Sequence, residues 1–162
     1  TFTYSAWIYR TGVCYGSSGS FWRHIVSHGG DFLHAFRFGS DSCQLQFYWL
    51  YSGDDAASLS NSSYTIPLNI WKHAAVTYDV NGDRKARIYI DGTEVSYTTK
   101  QASTGTREDD SGNDLYIGNA TTGGTRFFPG RIDDVRVYNR ALSANEILQL
   151  YNNGKAIIKS GI

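Results

Sequence analysis

The chain has 162 residues and a formal net charge of zero, with 41% hydrophobic and 19% charged residues, which suits one globular domain with its own core. A neutral chain argues against electrostatic binding of nucleic acid, and no apolar run reaches the roughly 20 residues that a membrane-spanning helix needs. Aromatic residues make up 15% and glycines number 17, as in proteins built from short strands and tight turns.

Alternation of polar and apolar residues predicts about ten strands along the chain. Nine of these strands cover residues 2–9, 22–28, 32–38, 43–51, 71–79, 86–90, 93–98, 115–118 and 130–138. Asp91-Gly92 between two alternating runs predicts a hairpin, because both residues tolerate the positive φ of a tight turn. Two polar stretches, residues 53–63 and 99–113, are interpreted as loops.

One helix is predicted near the end of the chain. Ser143 is a suitable N-cap and Glu146, three residues later, completes a capping box. An apolar stripe follows, and Gly154 is interpreted as the stop signal. Many short strands, one late helix and no long linker predict a single domain over residues 1–162, an antiparallel sandwich of two sheets.

Two cysteines, Cys14 and Cys43, lie 29 positions apart. The histidines near them have no recognised zinc-finger spacing. We favour a disulfide over two buried thiols, and a disulfide would favour an extracellular, periplasmic or cell-surface setting.

Several segments carry a family resemblance in consistent order. Residues 128–147 (FPGRIDDVRVYNRALSANEI) closely resemble the closing motif of laminin G-like, concanavalin A-like domains. The similar shorter segments are SAWI at 5–8, WKHAAVTYD at 71–79, IYIDG at 88–92 and LYIG at 115–118. The resemblance implies an all-β, concanavalin A-like jelly-roll sandwich of two curved antiparallel sheets with one short C-terminal helix. Family members are mostly ligand-binding or adhesive modules of secreted or surface proteins.

The chain departs from the family at its start. Members usually carry an edge strand before the position of Thr1. We expect this strand to be absent here, or to be supplied by residues 156–162 or by a partner protein domain that completes the sheet edge.

Catalysis is not expected. Glucanases of this fold place two or three carboxylates on one strand, and a retaining glycosidase needs two carboxyl groups about 5 to 5.5 Å apart. The glutamates of this chain are Glu94, Glu108 and Glu146, and none begins such a pattern. The sequence therefore predicts a protein that is not an enzyme.

Asp133 is the candidate metal ligand. On a regular strand Asp133 projects from the same face as Val135 and Val137, which is expected to be the core face. A bare carboxylate is costly to bury there. Calcium accepts carboxylate and carbonyl oxygens, and in the resembling domains an Asp at this position helps to hold a structural calcium. The alternative is that Asp133 accepts hydrogen bonds from backbone amides near the Gly130 turn.

The polar face of residues 43–51 suggests a carbohydrate site. Planar side-chain amides can form hydrogen bonds with sugar hydroxyls, and aromatic rings can stack on the C–H faces of sugar rings. A plain solvated face is the alternative. The predicted ligand-binding residues are Arg37, Gln44, Gln46, Tyr48 and Trp22, with His34 and the Tyr15 loop beside them. We interpret Trp7, Trp49 and Trp71 as structural.

The sequence thus predicts a non-catalytic binding module of a secreted or surface protein that recognises a glycan or glycoprotein, with a possible structural calcium. The alternative function is a structural or adhesive domain that contacts other proteins.

Overall fold

A computed structural model describes residues 1–14, 22–29, 34–39, 43–49, 58–106, 109, 111–120 and 126–160. In these ranges eleven strands precede one helix. They are β1 Phe2–Arg10, β2 Arg23–His28, β3 His34–Phe38, β4 Gln44–Trp49, β5 Ser58–Thr65, β6 Trp71–Tyr78, β7 Arg87–Ile90, β8 Thr93–Glu94, β9 Tyr97–Gln101, β10 Leu115–Ile117, β11 Gly130–Tyr138 and α1 Ala144–Ser160.

The strands form two antiparallel sheets. The five-stranded sheet has the order β11-β1-β6-β7-β8, and the six-stranded sheet has the order β10-β2-β3-β4-β5-β9. Neighbours in each order are often distant in sequence, as in a jelly roll, so the predicted two-sheet sandwich with one C-terminal helix is confirmed. None of the helical residues described here belongs to a helix long and apolar enough to cross a membrane.

The main core lies between the two sheets. Alternate residues of each strand face it, so aromatic rings from both sheets meet there. The rings of Phe2 and Trp49 lie 5.2 Å apart, for example, and those of Trp49 and Tyr78 lie 5.0 Å apart. Burying each such side chain contributes about 1.5 to 3 kcal/mol to folding. This core fixes which face of every strand is left for function.

A disulfide joins Cys14, after β1, to Cys43, before β4. The predicted pairing is therefore confirmed. Because β1 and β4 belong to different sheets, the bond ties the two layers together near one end of the sandwich. In the chain-entropy model a loop of this length contributes about 3.5 kcal/mol.

Helix α1 covers the outer face of the five-stranded sheet. The amide of Ser143 donates to the Glu146 carboxylate at 2.9 Å and the amide of Glu146 donates to Ser143 Oγ at 3.3 Å, so the predicted capping box is present. Ile147 is fully buried in a second hydrophobic cluster beneath the helix. Strand β1 is consequently buried on both faces.

The prediction that Gly154 ends the helix is wrong, because α1 continues to Ser160. Gly154 lies against the indole of Trp7, where a Cβ would collide with the ring. It is a close-packing glycine inside the helix. The helical state of residues 156–160 also excludes those residues as the edge strand of a sheet.

Two predicted loops are partly strand. Residues 58–63 belong to β5 and residues 99–101 belong to β9. Strand β5 accommodates Ser60, Ser62 and Ser63 because their hydroxyls have partners. Ser60 Oγ, for example, donates to the Ala86 carbonyl at 2.8 Å. The polar composition of these two stretches therefore did not distinguish loop from strand.

Candidate functional site

A row of polar residues crosses the outer face of the six-stranded sheet. His24, Arg37, Gln46, Asn61 and Thr99 are successive cross-strand partners on β2, β3, β4, β5 and β9. Directly paired residues project from the same face of a sheet, so these five side chains form one line, which we call the polar row. Three of its members, Gln46, Asn61 and Thr99, are half-buried.

A chain of side-chain hydrogen bonds orders the middle of the polar row. Arg37 Nε donates to Gln46 Oε1 at 2.8 Å, and Gln46 Nε2 donates to Asn61 Oδ1 at 2.8 Å. Arg37 is only 3% exposed. Each planar group is therefore held in one orientation, which is the arrangement that directional recognition of hydroxyls needs.

Aromatic rings flank Arg37. Its Cζ lies 4.0 Å from the ring centroid of Trp22 and 5.2 Å from that of Tyr48, both within cation–π range. Arg126 also approaches Trp22, with its Cζ at 5.3 Å. Trp22 and Tyr48 are half-buried, so part of each ring borders the surface.

The structure brings four of the five predicted ligand residues together: Arg37, Gln46, Tyr48 and Trp22. Gln44 lies apart, beyond an irregularity in the pairing of β4 with β5, where its Nε2 donates to the Ser63 carbonyl at 3.3 Å. The Tyr15 loop lies outside the described residues.

The suggestion that His34 joins this face is wrong. His34 pairs with Trp49 on the core side of the sheet, where its Nε2 shares a 2.6 Å hydrogen bond with the Tyr4 hydroxyl. His34 and Arg37 are three positions apart on one strand, so they project from opposite faces.

Sequence reasoning missed His24 and Asn61. His24 is fully buried at one end of the polar row. Burial and then the charges of Arg37 and Arg126 lower the pKa of His24 to about 3, so its ring is neutral at physiological pH. Asn61 was assigned to a loop. The alternation of Leu59 and Asn61 with buried serines was the signal that could have placed it.

The inward orientation predicted for Asp133 is wrong, because a β-bulge interrupts β11. Trp7 pairs with Asp133 and Ser5 with Arg136, so two residues of β11 oppose Ala6. Asp134 has a φ of 47° at this bulge. Because the bulge adds one residue, the alternation of inward and outward side chains shifts by one position, and Asp133 lies on the outer face. It is exposed there, and its Oδ1 accepts the Asp134 amide at 2.7 Å.

The surroundings of Asp133 remove the argument that a buried carboxylate needs a cation there. In the ranges given above, no three or more His, Cys, Asp or Glu side chains gather where they could hold a metal ion. Because the carboxylate is exposed and bonded to its neighbouring amide, it does not need a cation to offset burial. Calcium remains a prediction that rests on the family resemblance alone.

The described glutamates occupy ion pairs away from the polar row. Glu94 is 2.7 Å from Lys100 Nζ, and Glu146 is 2.6 Å from Arg140. The hydrogen bonds from Arg140 and Ser143 lower the pKa of Glu146 to about 2. Glu108 lies outside the described residues. The row itself offers amide, guanidinium and imidazole groups, which suit binding.

A family model for the concanavalin A-like lectin/glucanases superfamily, of laminin G type, matches residues 1–148. A search of curated proteins gives no match.

Three solved structures illustrate the likeness of fold. A protein from Bacteroides ovatus ATCC 8483 to which carbohydrate binding is ascribed is 23% identical with a TM-score of 0.65, over 91% of this chain and 40% of that one. Domain 4 of AbnA, a GH43 extracellular arabinanase from Geobacillus stearothermophilus solved with arabinotriose, is 19% identical with a TM-score of 0.62. The match covers 93% of this chain and 66% of that one. The CBM40 of the Ruminococcus gnavus IT-sialidase is 13% identical with a TM-score of 0.67, over 93% of this chain and 82% of that one.

These likenesses concern the fold. The chain spans less than two thirds of the length of the first two structures. All three come from proteins described by carbohydrate binding or by action on carbohydrates, and two are separate domains of larger enzymes.

Proposed function

The chain belongs to the laminin G-like family of the concanavalin A-like lectin/glucanases superfamily, and from that membership we propose that it is a non-catalytic module that binds a glycan on the polar row. The observation that carries the proposal is the ordered chain Arg37–Gln46–Asn61 with Trp22 and Tyr48 beside it. The partner is a carbohydrate, free or on a glycoprotein.

The chemistry of the row suits a sugar. Sugar rings present apolar C–H faces, which stack on aromatic rings such as those of Trp22 and Tyr48. Their hydroxyls both donate and accept, which matches the amides of Gln46 and Asn61. Since hydrogen bonds already order these side chains, binding loses little side-chain entropy. The strands from β3 to β5 span about 10 Å, so a short oligosaccharide fits the row better than one ring.

Two further observations support the proposal and an extracellular location. Relatives by fold include an arabinanase domain solved with arabinotriose and a CBM40 of a sialidase. The Cys14–Cys43 disulfide is a bond that persists in oxidising compartments. We therefore infer that the module works outside the cell or on its surface.

A glycan array followed by calorimetry tests the proposal. We expect at least one glycan to be retained, and Tyr48→Ala to weaken its binding about tenfold because a stacking ring is lost. Tyr64→Ala is the matched control, since Tyr64 is also a partly exposed tyrosine of the six-stranded sheet but lies beside Lys72 rather than Arg37. No retained glycan, or equal losses in both variants, would refute the proposal.

Adhesion is the second candidate function, and the side of the sandwich formed by β10 and β11 favours it. Both are edge strands in the described part of the chain. Their side chains Leu115, Ile117 and Val137 share faces with the core yet are 41%, 54% and 52% exposed. A β-strand from a partner protein domain could pair with β11 and cover them.

Hydrogen exchange separates this candidate from the first. If a partner strand pairs with β11, the backbone amides of β11 that point away from β1 become protected from hydrogen exchange when the partner domain is present. Exchange that stays fast at β11 while a glycan protects β3 to β5 would favour the glycan-binding function alone.

A further inference from the structure

We propose a second ligand site, on the opposite face of the sandwich from the polar row, that takes a carboxylated sugar residue of the hexuronic acid class. It is a pocket of about 360 Å³ between α1 and the outer face of the five-stranded sheet. Its aromatic walls are Trp7, Tyr9, Trp71 and Tyr151, and Asp91 and Lys155 lie at its rim. We call it the helix pocket. It goes beyond the proposed function because either site can fail without the other.

The sheet side of the helix pocket is an aromatic platform. Tyr9 and Trp71 are cross-strand partners on β1 and β6, with ring centroids 5.3 Å apart and planes inclined by 52°. Both are half-buried, and Arg131 lies 5.6 Å from the centre of the Tyr9 ring. Inclined rings of this kind form a concave apolar surface that receives the C–H face of a sugar.

The helix side is rigid. The rings of Trp7 and Tyr151 are stacked with their centroids 5.7 Å apart, and Trp7 is only 4% exposed. Gly154 allows the helix to approach the Trp7 ring at this point. The pocket is therefore preformed, and its volume lies at the lower end of the range of about 300 to 1,000 Å³ for small-ligand sites, enough for one or two sugar rings.

The rim provides oriented polar groups. Asp91 Oδ2 accepts Lys72 Nζ at 2.6 Å and its Oδ1 accepts the His73 amide at 3.1 Å. A carboxylate has about four acceptor positions, so each oxygen can still accept a ligand hydroxyl. Lys72 balances the charge of Asp91, and the pair adds no net charge to the pocket.

Lys155 adds a positive charge to the pocket, in addition to Arg131 beside the Tyr9 ring. It is exposed, its Nζ lies 5.3 Å from the centre of the Tyr151 ring, and it forms no ion pair with any residue that the structure describes. A ligand with an apolar ring face, hydroxyls and a carboxylate would use the platform, Asp91 and Lys155 at once. A cationic ligand would meet Lys155 without a free acidic partner, so the charge favours an anion.

Titration with trigalacturonate, followed by NMR of the four tryptophan indole N–H groups, tests the proposal. We expect the signals of Trp7 and Trp71 to shift and that of Trp22 to stay. Trp71→Ala should weaken binding about tenfold because the platform loses a ring. Lys155→Gln should weaken it about threefold, the size of an exposed ion pair.

Two controls make the outcome specific. Neutral galactotriose should bind more weakly, and Lys155→Gln should leave its affinity unchanged. Trp22→Ala should leave the binding of trigalacturonate intact, which separates this site from the polar row. Shifts confined to Trp22, no shifts at millimolar ligand, or equal loss of the acidic and neutral ligands in Lys155→Gln would overturn the proposal. Because Lys155 is exposed, that variant remains informative even if Trp71→Ala does not fold.

Discussion

The two outer faces of the sandwich differ in what covers them. The outer face of the five-stranded sheet lies under α1, and burial of Ile147 and its neighbours there contributes to stability. The outer face of the six-stranded sheet carries the polar row, whose side chains bond to one another and leave Gln46 and Asn61 partly exposed. Substitutions under the helix should therefore change stability, and substitutions in the exposed part of the row should change binding.

The largest expected effect is Ile147→Ala. Ile147 is fully buried beneath α1, so truncation leaves a cavity and should lower the free energy of unfolding by about 2 to 5 kcal/mol. Leu148→Ala is the matched control on the next helical residue, which is 42% exposed, and should change stability by about 0.5 kcal/mol or less. Urea denaturation measures both. Equal effects would mean that the helix does not dock through Ile147.

The second effect is a loss of stability in acid that involves both faces. Burial, as the leading cause, lowers the pKa of His24 to about 3 and that of His73 to about 4, from an ordinary value of 6.5. Below pH 6.5 the unfolded chain binds protons that these folded rings do not. Stability present above pH 6.5 should therefore fall as the pH drops toward 4, by at most about 1.4 kcal/mol per pH unit for each histidine.

Urea denaturation between pH 7 and pH 5 checks this expectation. His73→Gln and His24→Gln should each reduce the slope of stability against pH. A slope that persists unchanged in the double variant would show that other groups cause the acid loss.

Gly154→Ala should destabilise the protein, although Gly→Ala within a helix ordinarily stabilises. The added Cβ collides with the buried ring of Trp7, and overpacking of this kind costs about 1 to 3 kcal/mol. Asn153→Ala, at the exposed neighbouring position, should be close to neutral. Thermal melting decides the sign, and a higher melting temperature for Gly154→Ala would contradict the close approach of α1 to β1.

The smallest expected effect is Asn61→Ala. Gln46 Nε2 loses its acceptor, so the free energy of unfolding should fall by about 1 kcal/mol. The affinity for the glycan should fall as well, because the Gln46 side chain is no longer held in place. Calorimetry and urea denaturation on the same variant separate the two quantities. Unchanged affinity with reduced stability would assign Asn61 to structure alone.

Alternation along the strands was enough to predict the sandwich and the shared face of Gln46 and Tyr48. It failed where a strand is irregular. The pairing of β2 with β3 shifts between His24 and Val26, so His24 faces outward while His28, four residues later on the same strand, faces the core. The bulge beside Asp134 reversed the expected side of Asp133 in the same way. Local sequence does not reveal these extra residues.

The helix pocket depends on contacts between distant segments. Trp71 was correctly placed on a strand and interpreted as structural, but its neighbour Tyr9 is 62 positions away and Tyr151 is 80 positions away. The pairing of β1 with β6 places Tyr9 beside Trp71, and the docking of α1 over Trp7 adds Tyr151. That docking requires Gly154, which the sequence suggested as a helix end. Pockets built from three separate elements are not visible in a one-dimensional pattern.

The central claim, that the polar row holds the glycan, is tested most directly by the side-chain amide NMR signals of Gln46 and Asn61. On titration with the best glycan from the array, these two signals should shift in proportion to occupancy, together with the backbone amides of β3, β4 and β5. Saturable binding that leaves both signals in place would contradict the claim.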